Sequence, residues 1–424
     1  MLDAIRTSNT KHANTGPLTV LFFGDTYRPY VSGVVTSMDI YAAHLRALGH
    51  KVIIVAPEYP DTPAAPGVFR LPSLPFPGYP RLRLITPVTR QIIGQLEDMK
   101  PDIIHTHSPF AVGFLGLYIA RAVERPVVFT CHSYYEEYLR YLPGLSQPLK
   151  VVVRKYLTNY CTYCDLVVAP SPHLRDFLVD IGVEAPVQVL PTGIDPAAVP
   201  IAVSADGQNK LRGEDGSFVF AMLGRVAKEK TPDLALLTLF ELASRSPANR
   251  DRWRLLVIGD GPELERLKRL AVELGVKSLV TFMGEVPRDK VFQALRLADA
   301  MIFTSTVETQ GLAMLEGMAA GLPLVAADSP AVRALLEDGV TGFAVPSDPA
   351  AMAAALARLA DDRDLAARVG ARGRERCGEF HPAMLAAQLS GQYHALLARG
   401  VTPAVVERHV PWFDDVPTEL KLEM

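Results

Sequence analysis

Ser305-Thr-Val-Glu308-Thr-Gln-Gly311-Leu-Ala-Met-Leu-Glu316-Gly-Met-Ala-Ala-Gly321-Leu-Pro323 places two carboxylates eight positions apart, with glycines where a loop would turn into a helix. Ala300-Met-Ile-Phe303 before it and Leu324-Val-Ala326 after it are continuous apolar runs of strand length. Leu312, Leu315 and Ala319 recur at helical spacing, which predicts a helix starting near Gly311. The stretch therefore reads as strand, loop, helix, strand, the repeating unit of a parallel α/β domain. Glu308 falls in the loop and Glu316 on the helix. A helix N-terminus offers unpaired N–H groups and a partial positive charge, which suits a phosphate. A carboxylate on each side of that anchor can hold neutral hydroxyls. The combination reads as a site for a nucleotide diphosphate carrying a sugar.

The same alternation extends in both directions. Leu18–Phe23, Val52–Ala56, Asp102–Thr106, Pro126–Cys131, Leu166–Ala169 and Val187–Leu190 are apolar runs separated by helical patterns such as Val35–Leu48. Pro191-Thr-Gly-Ile-Asp195 and the polar segment through about Gly216 read as a linker. The series then restarts with Phe218–Leu223, Trp253–Ile258, Val280–Phe282, Ala300–Phe303, Leu324–Ala326 and Gly342–Val345. Unalternated strands between helices indicate parallel sheets covered on both faces. The expectation is an α/β protein of two doubly wound, Rossmann-like domains in tandem. Ligands of such sheets bind at the carboxyl ends of strands.

Strand Phe218–Leu223 runs into Gly224-Arg225-Val-Ala-Lys228-Glu229-Lys230, where Arg225 and Lys230 can offset diphosphate charge. Val257-Ile-Gly259-Asp-Gly261-Pro262 is a second glycine turn at a strand end. In the first half, Gly24-Asp25-Thr-Tyr-Arg28-Pro-Tyr-Val-Ser32-Gly33-Val-Val-Thr36-Ser37 follows the first strand. Phe129-Thr-Cys-His132-Ser-Tyr-Tyr-Glu136-Glu-Tyr138-Leu-Arg-Tyr141 follows another, and His105-x-His107 ends a third.

These strings resemble the retaining GT-B glycosyltransferases of the large GT4-type family, which carries Glu, seven intervening residues and Glu with Gly-Leu between them. The resemblance covers residues 18–400. It implies a GT-B fold with an interdomain cleft: an acceptor-binding domain over 17–198, a nucleotide-sugar donor-binding domain over 199–381, and a last helix, 382–400, returning to the first domain. Residues 1–16 and 401–424 are left as tails. The Asp-Thr-Tyr-x-Pro-x-x-Ser-Gly-Val-x-Thr-Ser string, the His132 segment and Glu308-Thr-Gln-Gly311 look like the diacylglycerol glucosyltransferase branch, which makes membrane glycolipids.

The resemblance implies catalytic roles for His132, Glu308, Arg225 and Lys230. It implies donor contacts from Ser32, Gly33, Arg225, Lys230, Gly259, Gly261, Glu308, Gly311, Leu312 and Glu316. Asp25, Tyr27, His107, Tyr134 and Glu136 are placed on the acceptor side. No cofactor or metal is implied, only a nucleotide-sugar co-substrate, a UDP-hexose or GDP-mannose. The leading expectation is transfer of a hexose, glucose, to a diacylglycerol-type lipid at a membrane surface. The alternatives are a mannosyltransferase of the same family acting on phosphatidylinositol or a soluble sugar, and, in another class, a sugar-nucleotide epimerase.

Composition bounds the rest. Of 424 residues, 49% are hydrophobic and 21% charged, the profile of a folded chain. A net charge of -3 gives no basic field for nucleic acid. The four cysteines do not suggest a disulfide framework, and Cys161-x-x-Cys164 lacks a second pair to complete a zinc site. Asp362-Arg-Asp364 lies between alanine-rich helical runs, where aspartates cap helices. Residues 1–16 lack an apolar signal segment and no run is long enough to span a bilayer, so a cytoplasmic chain is expected. A lipid acceptor would seat it peripherally on the inner face of the plasma membrane. Tyr138–Leu145, Pro148–Leu157 and Pro80–Ile85 mix basic and apolar residues suited to an interfacial face. Oligomeric state is left open.

Overall fold

The computed structural model describes residues 16–60, 62–77, 79–141, 146–199, 216–245 and 247–400. The expected tails, except Gly16, and most of the linker lie outside these, as does part of Tyr138–Leu145. The chain divides into two compact units, one of residues 1–192 with 382–424 and one of residues 193–381.

The first unit is built on a seven-stranded parallel sheet ordered β3-β2-β1-β6-β7-β8-β9. Its strands are β1 (Thr19–Phe23), β2 (Lys51–Pro57), β3 (Val68–Leu71), β6 (Ile103–Thr106), β7 (Val127–Thr130), β8 (Leu166–Ala169) and β9 (Val187–Val189). The central strands β1, β6 and β7 are buried almost throughout, which is why β1 and β7 read as apolar runs, while β6 carries His105 into the interior. An antiparallel hairpin, β4 (Ser73–Phe76) with β5 (Tyr79–Ile85), stands apart from the sheet. The expected Pro80–Ile85 basic segment is this second hairpin strand, and Arg83 holds the hairpin by donating to the Ser73 carbonyl at 2.7 Å.

The second unit has a six-stranded parallel sheet ordered β12-β11-β10-β13-β14-β15. Its strands are β10 (Phe218–Leu223), β11 (Trp253–Ile258), β12 (Val280–Gly284), β13 (Ala300–Phe303), β14 (Leu324–Ala327) and β15 (Phe343–Val345). One core binds the sheet to its helices, with Phe218, Phe220, Leu236, Leu239, Met352 and Leu356 fully enclosed. Burying each such chain contributes about 1.5–3 kcal/mol.

The Pro382–Arg399 helix packs in the first unit against the Gly33–Ala47 helix. Its polar side chains fix it there: Ser390 bonds His50 at 2.8 Å, His394 bonds the Gly16 carbonyl at 3.0 Å, and Tyr393 reaches His105 at 2.6 Å. The segment expected as a loose linker starts firmly held. Tyr41 donates to the Pro191 carbonyl at 2.6 Å and Ser37 bonds Thr192 at 2.7 Å, both inside the first unit.

Candidate functional site

In the second unit, β10 and β13 are neighbours, so the loops that follow them run side by side. Cross-loop bonds lock the two together: Thr304 donates to the Lys230 carbonyl at 2.7 Å and Ser305 to the Glu229 carbonyl at 3.3 Å. In this frame Lys230 Nζ lies 2.5 Å from Glu308 Oε1. Gly311 follows in the left-handed region, φ 79°, ψ 57°, where a side chain would be strained. It opens the Leu312–Ala319 helix, and no side chain caps that end. The first-turn N–H groups therefore keep the helix's partial positive charge for an anion. Glu316, on the next turn, is buried and ion-paired with Arg288 from the loop after β12. Each signature glutamate is thus held by a cation from another loop. The resemblance implies donor contacts from Lys230 and Glu308 but not their pairing, and it implies nothing of Arg288, whose position just past the β12 strand end is the one signal in the sequence.

Arg225 is exposed one residue beyond Gly224 at the end of β10. The glycines around it answer to the fold as well. A Cβ on Gly259 would meet the Gly224 carbonyl oxygen at 1.9 Å, and one on Gly261 would meet that of Val226 at 2.3 Å. Backbone bonds zip the same loops: Val226 N–H donates to Asp260 at 3.0 Å and Gly259 N–H to Gly284 at 2.8 Å. Gly259 and Gly261 therefore let three strand-end loops touch, a role the sequence reading did not assign.

In the first unit, Ser32 caps the Gly33–Ala47 helix, its Oγ accepting from Val35 N–H at 3.2 Å. Gly33 is exposed, and a Cβ there would enter open space, so nothing in the fold requires glycine at this helix start. Four acceptor-side candidates turn out to have structural work. Asp25 accepts from Ser108 Oγ at 2.5 Å and Val112 N–H at 2.9 Å, capping the Ala111–Ala122 helix in place of Phe110. Burial pushes the Asp25 carboxyl above its ordinary pKa. Tyr27 donates to Asp39 at 2.6 Å. Glu136 takes both arms of Arg154, one at 2.9 Å, so the exposed Arg154 is already paired with a carboxylate. Tyr134 packs edge-on against Phe177 at 5.0 Å.

The remaining candidates converge. The β6–β7 register sets His105 beside Val128, and two residues on, His107 and Thr130 project to the same face. His105 bonds Tyr393 Oη and Thr130 Oγ1, at 2.6 and 2.7 Å. His107 Nδ1 bonds His132 Nε2 at 3.0 Å. Desolvation holds His105 and His132 down to about 3 and His107 well below its ordinary value, so all three rings are neutral at pH 7. The paired nitrogens of His105 leave it no free donor atom for a metal. Among the described residues no group of three or more His, Cys, Asp or Glu is placed to hold one. The four cysteines are free and buried, and Asp362 caps the Arg363–Gly378 helix through Leu365 N–H at 2.8 Å.

Two parallel-sheet units, with paired glutamates and cations at the strand ends of the second, define a doubly wound α/β architecture, and comparison with known proteins gives its class. Residues 31–198 match Glycosyltransferase Family 4, and residues 205–376 match Glycosyl transferases group 1. The alpha-monoglucosyldiacylglycerol synthase of Streptococcus pneumoniae is 33% identical over 76% of this chain and 73% of its own length. The protein of the same name from Acholeplasma laidlawii is 29% identical over 76% of this chain and 83% of its own. Among solved structures, Anabaena HepE in complex with UDP-glucose superposes with a TM-score of 0.69 at 18% identity, over 89% of this chain and all of that one, a likeness of fold. The chain belongs to glycosyltransferase family 4 and has the GT-B fold. It is a glycosyltransferase, and membership in this family sets the epimerase reading aside.

Proposed function

We propose that this glycosyltransferase moves glucose from UDP-glucose to a diacylglycerol-type lipid, with retention at the anomeric carbon and without a bound metal or cofactor. The observation that carries the donor side is the Lys230–Glu308 pair at the mouth of an uncapped helix with buried Glu316 one turn in. A diphosphate carries more charge than one carboxylate and can draw Lys230 from Glu308, leaving Glu308 to the sugar hydroxyls. Glu316 takes the ribose hydroxyls, exchanging Arg288 for them. Arg225, Lys230 and the helix dipole stabilise the departing diphosphate, the charge a metal would otherwise offset. Transfer follows front-face geometry: the acceptor oxygen bonds the anomeric carbon as the bond to phosphate breaks, and the leaving phosphate oxygen takes the acceptor proton. The protein contributes positioning and electrostatics.

The acceptor side rests on the three sequence strings, on relatives named for glucosyldiacylglycerol synthesis, and on one surface. The Ser146–Cys161 helix buries Leu157, Tyr160 and Cys161 but leaves Val151 68%, Val152 60% and Tyr156 39% exposed, with Lys155 beside them. Exposed Leu74, Phe76 and Leu84 mark the hairpin of the same unit. Apolar residues next to lysines suit the interface of an anionic bilayer. No helix among the described residues is long and apolar enough to cross a membrane, and we place the protein as a peripheral one on the cytoplasmic face of the plasma membrane. The test is nucleotide release with UDP-glucose, UDP-galactose or GDP-mannose, each with and without diacylglycerol in mixed micelles. UDP release from UDP-glucose that depends on diacylglycerol is expected. Turnover indifferent to lipid would move the acceptor to a soluble molecule.

A further inference from the structure

His105, His107 and His132 of the first unit form a ladder. His107 stacks on His105 with ring centroids 4.3 Å apart and planes 21° apart, and meets His132 edge to edge, with centroids 5.3 Å apart and planes 21° apart. Phe22 closes the side of His107 at 4.6 Å. The bottom rung is fixed at both nitrogens by Tyr393 and Thr130. The middle rung has one bond, from its Nδ1 to His132 Nε2, while His107 Nε2 is buried with no partner.

A neutral imidazole carries one N–H and one lone pair. The 3.0 Å bond between His107 and His132 therefore has two arrangements. If His132 Nε2 donates, the proton of His107 sits on Nε2, where it is a buried donor without an acceptor. If His107 Nδ1 donates, the orphaned atom is a bare lone pair. Orphaned buried N–H groups are the rarer of the two in proteins.

We infer that His107 is a positioning residue that donates from Nδ1 to His132 Nε2 and so holds His132 in the tautomer bearing its proton on Nδ1. The Nδ1–H of His132 is then a hydrogen-bond donor. Its other nitrogen already accepts from His107, so it has no lone pair to take a proton from the acceptor hydroxyl. This deepens the transferase reading and rests on it: with no base at His132, the acceptor proton passes to the leaving phosphate oxygen. The ladder also links the site to the Pro382–Arg399 helix through Tyr393.

Long-range 1H–15N spectra of the full chain labelled at histidine, assigned with single substitutions, report which nitrogen is protonated. His132 should show a protonated Nδ1 and a bare Nε2. In His107→Phe, which retains a flat ring and removes the donor, the proton should move towards Nε2. A wild-type His132 protonated at Nε2 overturns the inference. In kinetics, His107→Phe should lower kcat roughly ten- to hundredfold with the donor KM nearly unchanged. His107→Asn, whose amide N–H stands in for Nδ1, should recover most of that loss. Equal activity of the two folded variants contradicts the donor role. The spectrum is read without substrate, so a failed lipid assay leaves this test standing.

Discussion

The two units solve opposite electrostatic problems. The second collects ionised groups and leaves them paired in partial contact with water, as with Lys230–Glu308 and Arg288–Glu316. The first collects three titratable rings and strips them of charge by burial. Exchangeable ion pairs suit a highly charged ligand, because incoming phosphates can replace the carboxylates as partners of the cations. A neutral, hydrogen-bonded ladder suits orientation of uncharged hydroxyls, because it has no charge to lose on desolvation. The sheets are alike, so the difference lies in what each strand end presents.

The comparison breaks most sharply at Glu308. Glu308→Gln retains shape and removes the charge, and kcat should fall by about 10²–10³-fold. Near-normal turnover would remove Glu308 from the reaction. Arg225→Ala should weaken donor binding and turnover together, each by about tenfold, the size of one lost charge-assisted bond. A change confined to the lipid KM would put Arg225 elsewhere.

Acid separates the units thermodynamically. Histidines held neutral in the fold titrate normally once unfolded, so below about pH 6.5 the unfolded chain binds more protons. Stability should therefore be complete above that pH and fall as pH drops towards the folded values near 3 of His105 and His132. Each ring contributes about 1.4 kcal/mol per pH unit within that window. Asp25, whose pKa is raised, acts in the opposite sense at the acid end. Melting curves between pH 7 and 5 should be steep for the wild type and shallower in His107→Phe. Identical slopes would show that His107 does not titrate on unfolding. The smallest effect is expected at Asp25→Ala, which removes a helix cap and costs about 1 kcal/mol. A large loss of kcat without loss of stability would return Asp25 to the acceptor side.

Much of this was legible in the chain. Most central strands are apolar runs because both faces are covered, and the signature helix begins at Gly311 because only glycine takes its φ readily. β3 and the β4–β5 hairpin were not legible: they are short, half-exposed and interrupted by prolines, so no period marks them. The site was legible where its residues are local, as with Glu308, Gly311 and Glu316. It was not where the partner is remote. Tyr393 lies 288 residues from His105, and Lys230 lies 78 from Glu308. Asp25 reads as a site residue from sequence because it follows a strand end. Only the approach of Ser108 and Val112 reveals it as a cap.

The most direct measurement is the structure of the lipid product formed from UDP-glucose and diacylglycerol, by mass and by the anomeric proton coupling in NMR. An α-linked glucosyl-diacylglycerol, the configuration of the donor, is the predicted result. A β-linked product, or donor turnover that leaves no hexose on the lipid, would contradict the account.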